Sequence, residues 1–107
     1  MATHPTTPVL SLTALLQFQH DAIVSRQITK ADAGNVTLFA FDSGQELSEH
    51  TAPFDALVHV LEGEAEVRIA GNPSTLKPGD AIVMPAGVPH AVKALQQFKM
   101  LLTMIRA

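Results

Sequence analysis

The 107-residue chain contains no cysteine, no tryptophan and no tyrosine, and its aromatic residues are five phenylalanines. Without cysteine there are no disulfides and no thiolate metal ligands, and a reducing compartment is permitted. Positive charge is also scarce: seven Lys and Arg stand against ten Asp and Glu, for a formal net charge of −3. The cations form no stripe for a phosphate backbone, and no aromatic residues alternate with them to stack bases, so no nucleic-acid partner is expected. A long apolar run is missing too. The opening "MATHPTTPVLSLTALLQF" has no lysine or arginine at its start and runs into Gln19, His20 and Asp21. A signal peptide needs a positive start and a membrane span needs ~20 apolar residues. The expectation is a soluble, cytoplasmic protein with no membrane partner.

What is present is the composition of a folded chain, with 47% hydrophobic and 16% charged residues, seven prolines and six glycines. The length suits one domain, since domains commonly have ~100–150 residues. Residues 1–10, rich in proline and threonine, read as a flexible tail, and residues 11–107 as the domain. From Ser11, "SLTALLQF" is a short apolar segment, either one or two helical turns capped by Ser11 or an extended piece.

Beyond it the pattern has period two, the mark of strands whose alternate side chains face opposite ways. Strands are predicted at 22–30, 35–41, 56–62, 65–70, 80–85, 90–95 and 98–105, separated by turn signals such as "DAGN", "EGE", "AGNP", "KPGD" and "PAGVP". So many short strands predict an all-β sandwich or barrel. In "EAEVRIA", Glu64, Glu66 and Arg68 alternate with Ala65, Val67 and Ile69, which gives a wet face and a packed one. "FKMLLTMI" is apolar on both faces, so that strand is central or covered by a partner subunit.

Two blocks carry more specific information. In the first, Gly44, His50, Ala52, Ala56 and Gly63 follow one another at intervals of five, one, three and six intervening residues. In the second, Gly79, Pro85, Gly87, His90 and Ala94 follow at five, one, two and three. These spacings, with "VLEGEAEVRI" and "LKPGDAIVMPAGVPHAV" around them, resemble the two motifs of the cupin superfamily over about residues 36–105. The resemblance implies a small single-domain jelly-roll β-barrel, entered by His90 as its strand turns inward after "MPAGVP".

In cupins that hold a metal, the first motif supplies two histidines and a glutamate and the second one histidine. Those places fall here on His50, Ala52, Ala56 and His90, so two of four are alanine, and Ala94 stands where the second motif commonly has asparagine. A catalytic zinc or iron site generally uses three protein ligands, which alanine cannot provide. Of the neighbouring donors Glu46, Glu49, Asp55 and His59, strand parity sends Asp55 and His59 to the opposite face, unless Pro53 breaks the ladder and makes His59 a third ligand. His4 and His20 read as solvated loop histidines. The acidic residues around Glu46 and Glu62–Glu66 read as solvent-facing, and Met84, Met100 and Met104 as core.

If His50 and Ala52 face inward, so does Phe54, and the implied pocket is lined by His50, Ala52, Phe54, Ala56, Val58, His90, Val92 and Ala94. Such a small, mostly apolar hollow with two imidazoles is a form that small-molecule sites take. Three functions follow. The first is a binding module for a small organic ligand, anchored by His50 and His90. The second is a cupin enzyme of oxygenase or isomerase type using a divalent metal (Zn, Fe, Mn or Ni) on His50 and His90. The third is a metal-free epimerase-like enzyme with a histidine base. Exposed sheet edges and the apolar N- and C-terminal segments predict a homodimer.

Overall fold

The computed structural model describes residues 7–106, so His4 lies outside the described residues. Among these, nine strands are present and no α-helix: β1 (Ile23–Ala31), β2 (Gly34–Phe41), β3 (Glu46–His50), β4 (Phe54–Glu62), β5 (Ala65–Ile69), β6 (Asn72–Leu76), β7 (Ala81–Met84), β8 (His90–Ala94) and β9 (Phe98–Arg106). They form a five-stranded sheet in the order β1-β2-β9-β4-β7 and a four-stranded sheet in the order β3-β8-β5-β6, all pairings antiparallel. The all-β jelly-roll expectation therefore holds. Among the described residues no helix is long and apolar enough to cross a membrane.

The core lies between the sheets and follows the alternation of each strand. Ala56, Val58 and Val60 of β4 are buried and register with Met104, Leu102 and Met100 of β9. Val67 of β5 and Val92 of β8 face them from the other sheet, while Phe41 and Phe98 stack at 4.5 Å between centroids. Each of these side chains larger than alanine, removed from water, contributes roughly 1.5–3 kcal/mol. β9 is central, flanked by β2 and β4. That is one of the two positions its doubly apolar sequence allowed.

The start of its outer face, at Lys99, is covered from within the same chain. Residues Ser11–Leu15 make a single turn, with Ala14 N–H donating to Ser11 O at 3.1 Å, and the rest of the N-terminal segment runs extended. Beneath it Lys99, 5% exposed, donates to Thr13 O at 2.6 Å, pairs with Glu62 at 3.0 Å and lies 4.9 Å from the centre of the Phe18 ring. Leu38 and Ala40 register with Leu101 and Lys99 on this outer face, and both are fully buried.

Two strands were not foreseen. β6 contains Pro73, tolerated because β6 is a sheet edge. β3 is an edge as well, with Leu47 its one residue that is not exposed. The stretch from His50 to Ala56 is also not one strand: β3 ends at His50, residues 51–53 cross between the sheets, and β4 begins at Phe54. Gly63, at φ +76°, turns the chain from β4 to β5, and a Cβ there would run into the carbonyl oxygen of Gln97 and the Cα of Phe98.

Candidate functional site

His50 closes β3 and His90 opens β8, and these strands are antiparallel neighbours. Leu47 pairs with Val92 and faces the core, yet the next pair is His50 with His90, so β3 uses three steps where β8 uses two. Without that bulge His50 would point outward, opposite to Leu47; the extra residue turns it toward His90 at the mouth of the barrel, where it stays exposed. His90 is placed by its own strand's alternation, with His90, Val92 and Ala94 buried and Lys93 exposed. The turn before it is tied to the crossing after β3, because Gly87 N–H donates to Ala52 O and Ala86 N–H to Asp55 Oδ1, each at 2.9 Å.

The two rings meet edge to face, 4.4 Å between centroids, with their Nε2 atoms 3.1 Å apart. Each Nδ1 lies against a backbone carbonyl two residues earlier, Ser48 O at 2.8 Å for His50 and Val88 O at 3.1 Å for His90. A carbonyl oxygen only accepts, so each Nδ1 carries the hydrogen. Three contacts then need three hydrogens, and two neutral imidazoles supply two. The contact left without one is Nε2 to Nε2, where two lone pairs face each other.

A proton on the pair would fill that contact, but burial holds the pKa of His90 below the ordinary histidine value. Its bond to Val88 O works the other way, and the nearby charge of His50 lowers it further. With both rings neutral, the pair is an acceptor short of one hydrogen or one cation.

The donor set does not complete a metal site of the family's kind. Ala52 and Ala56 bring no ligand atom, and His59 registers with Ala81 and Leu101 on the outer face of its sheet, away from the pair. Among the described residues, the one group of three potential ligands is His20, Asp21 and Asp42 on the surface, where His20 Nε2 sits 3.1 Å from Asp21 Oδ2. Asp42 there is held ionised below the usual carboxylate range by Gln97, which donates to it at 2.9 Å, and by the backbone N–H groups of Asp21 and Ser43.

The remaining expected pocket residues are dispersed. Ala56, 2% exposed, lies between Met84 and Met104, and Val58 between Ile82 and Leu102, both within the core. Val92 packs between Leu47 and Val67. Ala94 lies at the far end of β8 opposite Ala65, ~13 Å along the strand from His90. Phe54 is half-buried under the guanidinium of Arg106, 5.4 Å from its ring centre. Arg106 was not singled out from the sequence, although the even positions of β9 (98, 100, 102 and 104) lead to it. Surface cavities of about 240, 270 and 410 Å³ lie elsewhere, at Glu66 and Arg68, at the β1–β2 turn, and between Pro8 and Arg26.

Solved structures give the same architecture. A conserved protein of unknown function from Streptococcus pyogenes is 36% identical, with a TM-score of 0.89 over 97% of this chain and 91% of that one. A cupin superfamily protein from Desulfitobacterium hafniense is 28% identical, with a TM-score of 0.89 over 96% and 94%. A cupin 2 conserved barrel domain protein from Leptotrichia buccalis is 37% identical, with a TM-score of 0.87 over 91% of this chain and 47% of that one. No curated protein matches the chain. The family model described as the cupin domain matches residues 37–106, and with both histidines on the inner side of a two-sheet barrel, this chain belongs to the cupin family.

Proposed function

We propose that the protein binds a small organic molecule at the inner side of the barrel, with His50 and His90 as its polar anchors. The observation that supports this is the 3.1 Å contact between two Nε2 atoms whose Nδ1 partners are already bonded. A ligand O–H or N–H placed between them supplies the missing hydrogen. A cytoplasmic location is part of the same reading, and the cysteine-free sequence permits it.

Metal analysis of protein purified without a histidine tag tests this reading against a metal-dependent one. Sub-stoichiometric metal is the expected result. Zinc, iron, manganese or nickel near one per chain, lost on His50→Ala, would overturn it.

The homodimer belongs to this proposal as well. Leu57, Val83 and Ile105 are 39%, 53% and 59% exposed. Leu57 registers with Val83 and Thr103, and Ile105 with Asp55, so all three lie on the outer side of the five-stranded sheet. A second copy seated there would take this surface out of water. Sedimentation equilibrium should give twice the chain mass, and Val83→Glu should halve it.

A further inference from the structure

We infer that the ligand is a hydroxyl-bearing organic carboxylate, its carboxylate taken by Arg106 and its hydroxyl by the His50–His90 pair. This rests on the binding reading above and names the chemistry of the other end. Arg106 registers with Phe54, one pair beyond Ala56–Met104, on the inner side of the five-stranded sheet. Its Nε donates to Asp32 O at 3.0 Å, its backbone N–H to Ala33 O at 2.8 Å, and its guanidinium lies over the Phe54 ring. Those contacts fix the plane of the group while using one of its five donors. Among the described residues no carboxylate pairs with it.

Among the described residues, the strands offer it no acidic partner on the inner side either. The acidic residues of the strands Glu46, Asp55, Glu62 and Glu66 register with Lys93, Ile105, Lys99 and Lys93, all on outer faces. Glu49 lies exposed in the β3 bulge, and the remaining acids lie between strands. The end of the barrel at Arg106 thus holds an exposed cation with a planar fork of donors that, among the described residues, no carboxylate pairs with. Such a fork matches a carboxylate better than any neutral acceptor.

The histidine pair, by contrast, accepts. It faces this end from the other sheet, and packed sheets lie ~10 Å apart, so one molecule with an acid at one end and a hydroxyl at the other reaches both. Phe54 and Met104, each half-buried at this end of the sheet, favour an apolar body.

The absence of tyrosine and tryptophan leaves the ultraviolet absorption of a phenolic probe clear of strong protein bands, so equilibrium dialysis reads binding directly. The probe is 4-hydroxybenzoate, compared with 4-hydroxybenzamide, which lacks the charge, and with benzoate, which lacks the hydroxyl. The acid should bind about tenfold or more tightly than the amide, the scale of one charged hydrogen bond. Arg106→Gln should remove that preference, and Arg106→Lys should keep part of it. Benzoate should bind more weakly than 4-hydroxybenzoate, and His90→Gln should level those two.

Equal binding of acid and amide, or an unchanged preference in Arg106→Gln, overturns the carboxylate assignment. If the amide still loses binding on His90→Gln, the histidine anchor stands without it. If none of the three compounds binds the unaltered protein, the assignment of a hydroxyl-bearing acid fails together with the anchor.

Discussion

His50 and His90 meet through their Nε2 atoms at 3.1 Å, while the Nδ1 of each is held by the carbonyl two residues before it, Ser48 and Val88. The rings are fixed from behind by backbone, so their orientation does not depend on any carboxylate. This is the arrangement of a receptor for a hydrogen-bond donor, and it has a consequence for stability.

Burial keeps the pKa of His90 below the value near 6.5 that it has in the unfolded chain. The unfolded state then binds more protons over that interval, and stability rises with pH. The contribution is complete above about pH 6.5 and is lost as pH falls toward the depressed native value. Urea midpoints at about pH 8 and about pH 5.5 should show a larger fall for the unaltered protein than for His90→Gln. An equal fall in both would place the sensitivity elsewhere.

Gly63 and Gly44 share a left-handed backbone, φ +76° and +80°, but a Cβ at Gly63 meets the Gln97 and Phe98 backbone whereas one at Gly44 meets open space. Gly44→Ala should cost about 1 kcal/mol, the left-handed penalty alone. Gly63→Ala should cost at least about 3 kcal/mol, since the β4–β5 turn must also move. Thermal denaturation of the two variants side by side gives the difference.

Lys99 joins the N-terminal segment to the sheet through Thr13 O, Glu62 and the Phe18 ring. Lys99→Ala removes a charged hydrogen bond and an ion pair whose acidic partner is partly exposed, and should cost roughly 1–3 kcal/mol. Brief chymotrypsin treatment should then cut at Leu15, Leu16 or Phe18 before any site in the strands. Cleavage no faster than in the unaltered protein would mean that apolar packing alone holds the segment.

Restoring the two missing donors tests how far the site departs from a metal centre. Ala56 is 2% exposed, so Ala56→Glu combined with Ala52→His puts a carboxylate into the core. Without metal the double variant should lose at least about 2 kcal/mol. Zinc at a hundred times its dissociation constant should return about 2.7 kcal/mol. A melting temperature insensitive to zinc would show that the crossing at residues 51–53 does not bring the new side chains to the histidines.

The fold was legible because seven strands carry clear period-two patterns and both glycine-histidine blocks have their turns in register. The edge strands were not, since Glu46–His50 buries little and Asn72–Leu76 contains Pro73, Asn72 and Ser74, which read as a turn. Parity placed Ala56 and Val58 inward and Asp55 and His59 outward, as found. Carried back through Pro53 to His50, however, it crossed from one sheet to the other, and the inward aim of His50 comes from a bulge that no periodicity reveals. The carbonyl partners of the two Nδ1 atoms and the seat of Arg106 opposite Phe54 depend on cross-strand register, which a single sequence does not encode locally.

β9 follows every other strand in chain order and lies in the middle of the five-stranded sheet. As the chain emerges from the ribosome, β2 and β4 are therefore complete before the strand that separates them exists. Each then presents an unpaired edge, and they can meet each other in a wrong register. The five-stranded sheet closes only once residues 98–106 are free to slide between them, so its assembly waits for the last strand whereas the other sheet needs no residue of it.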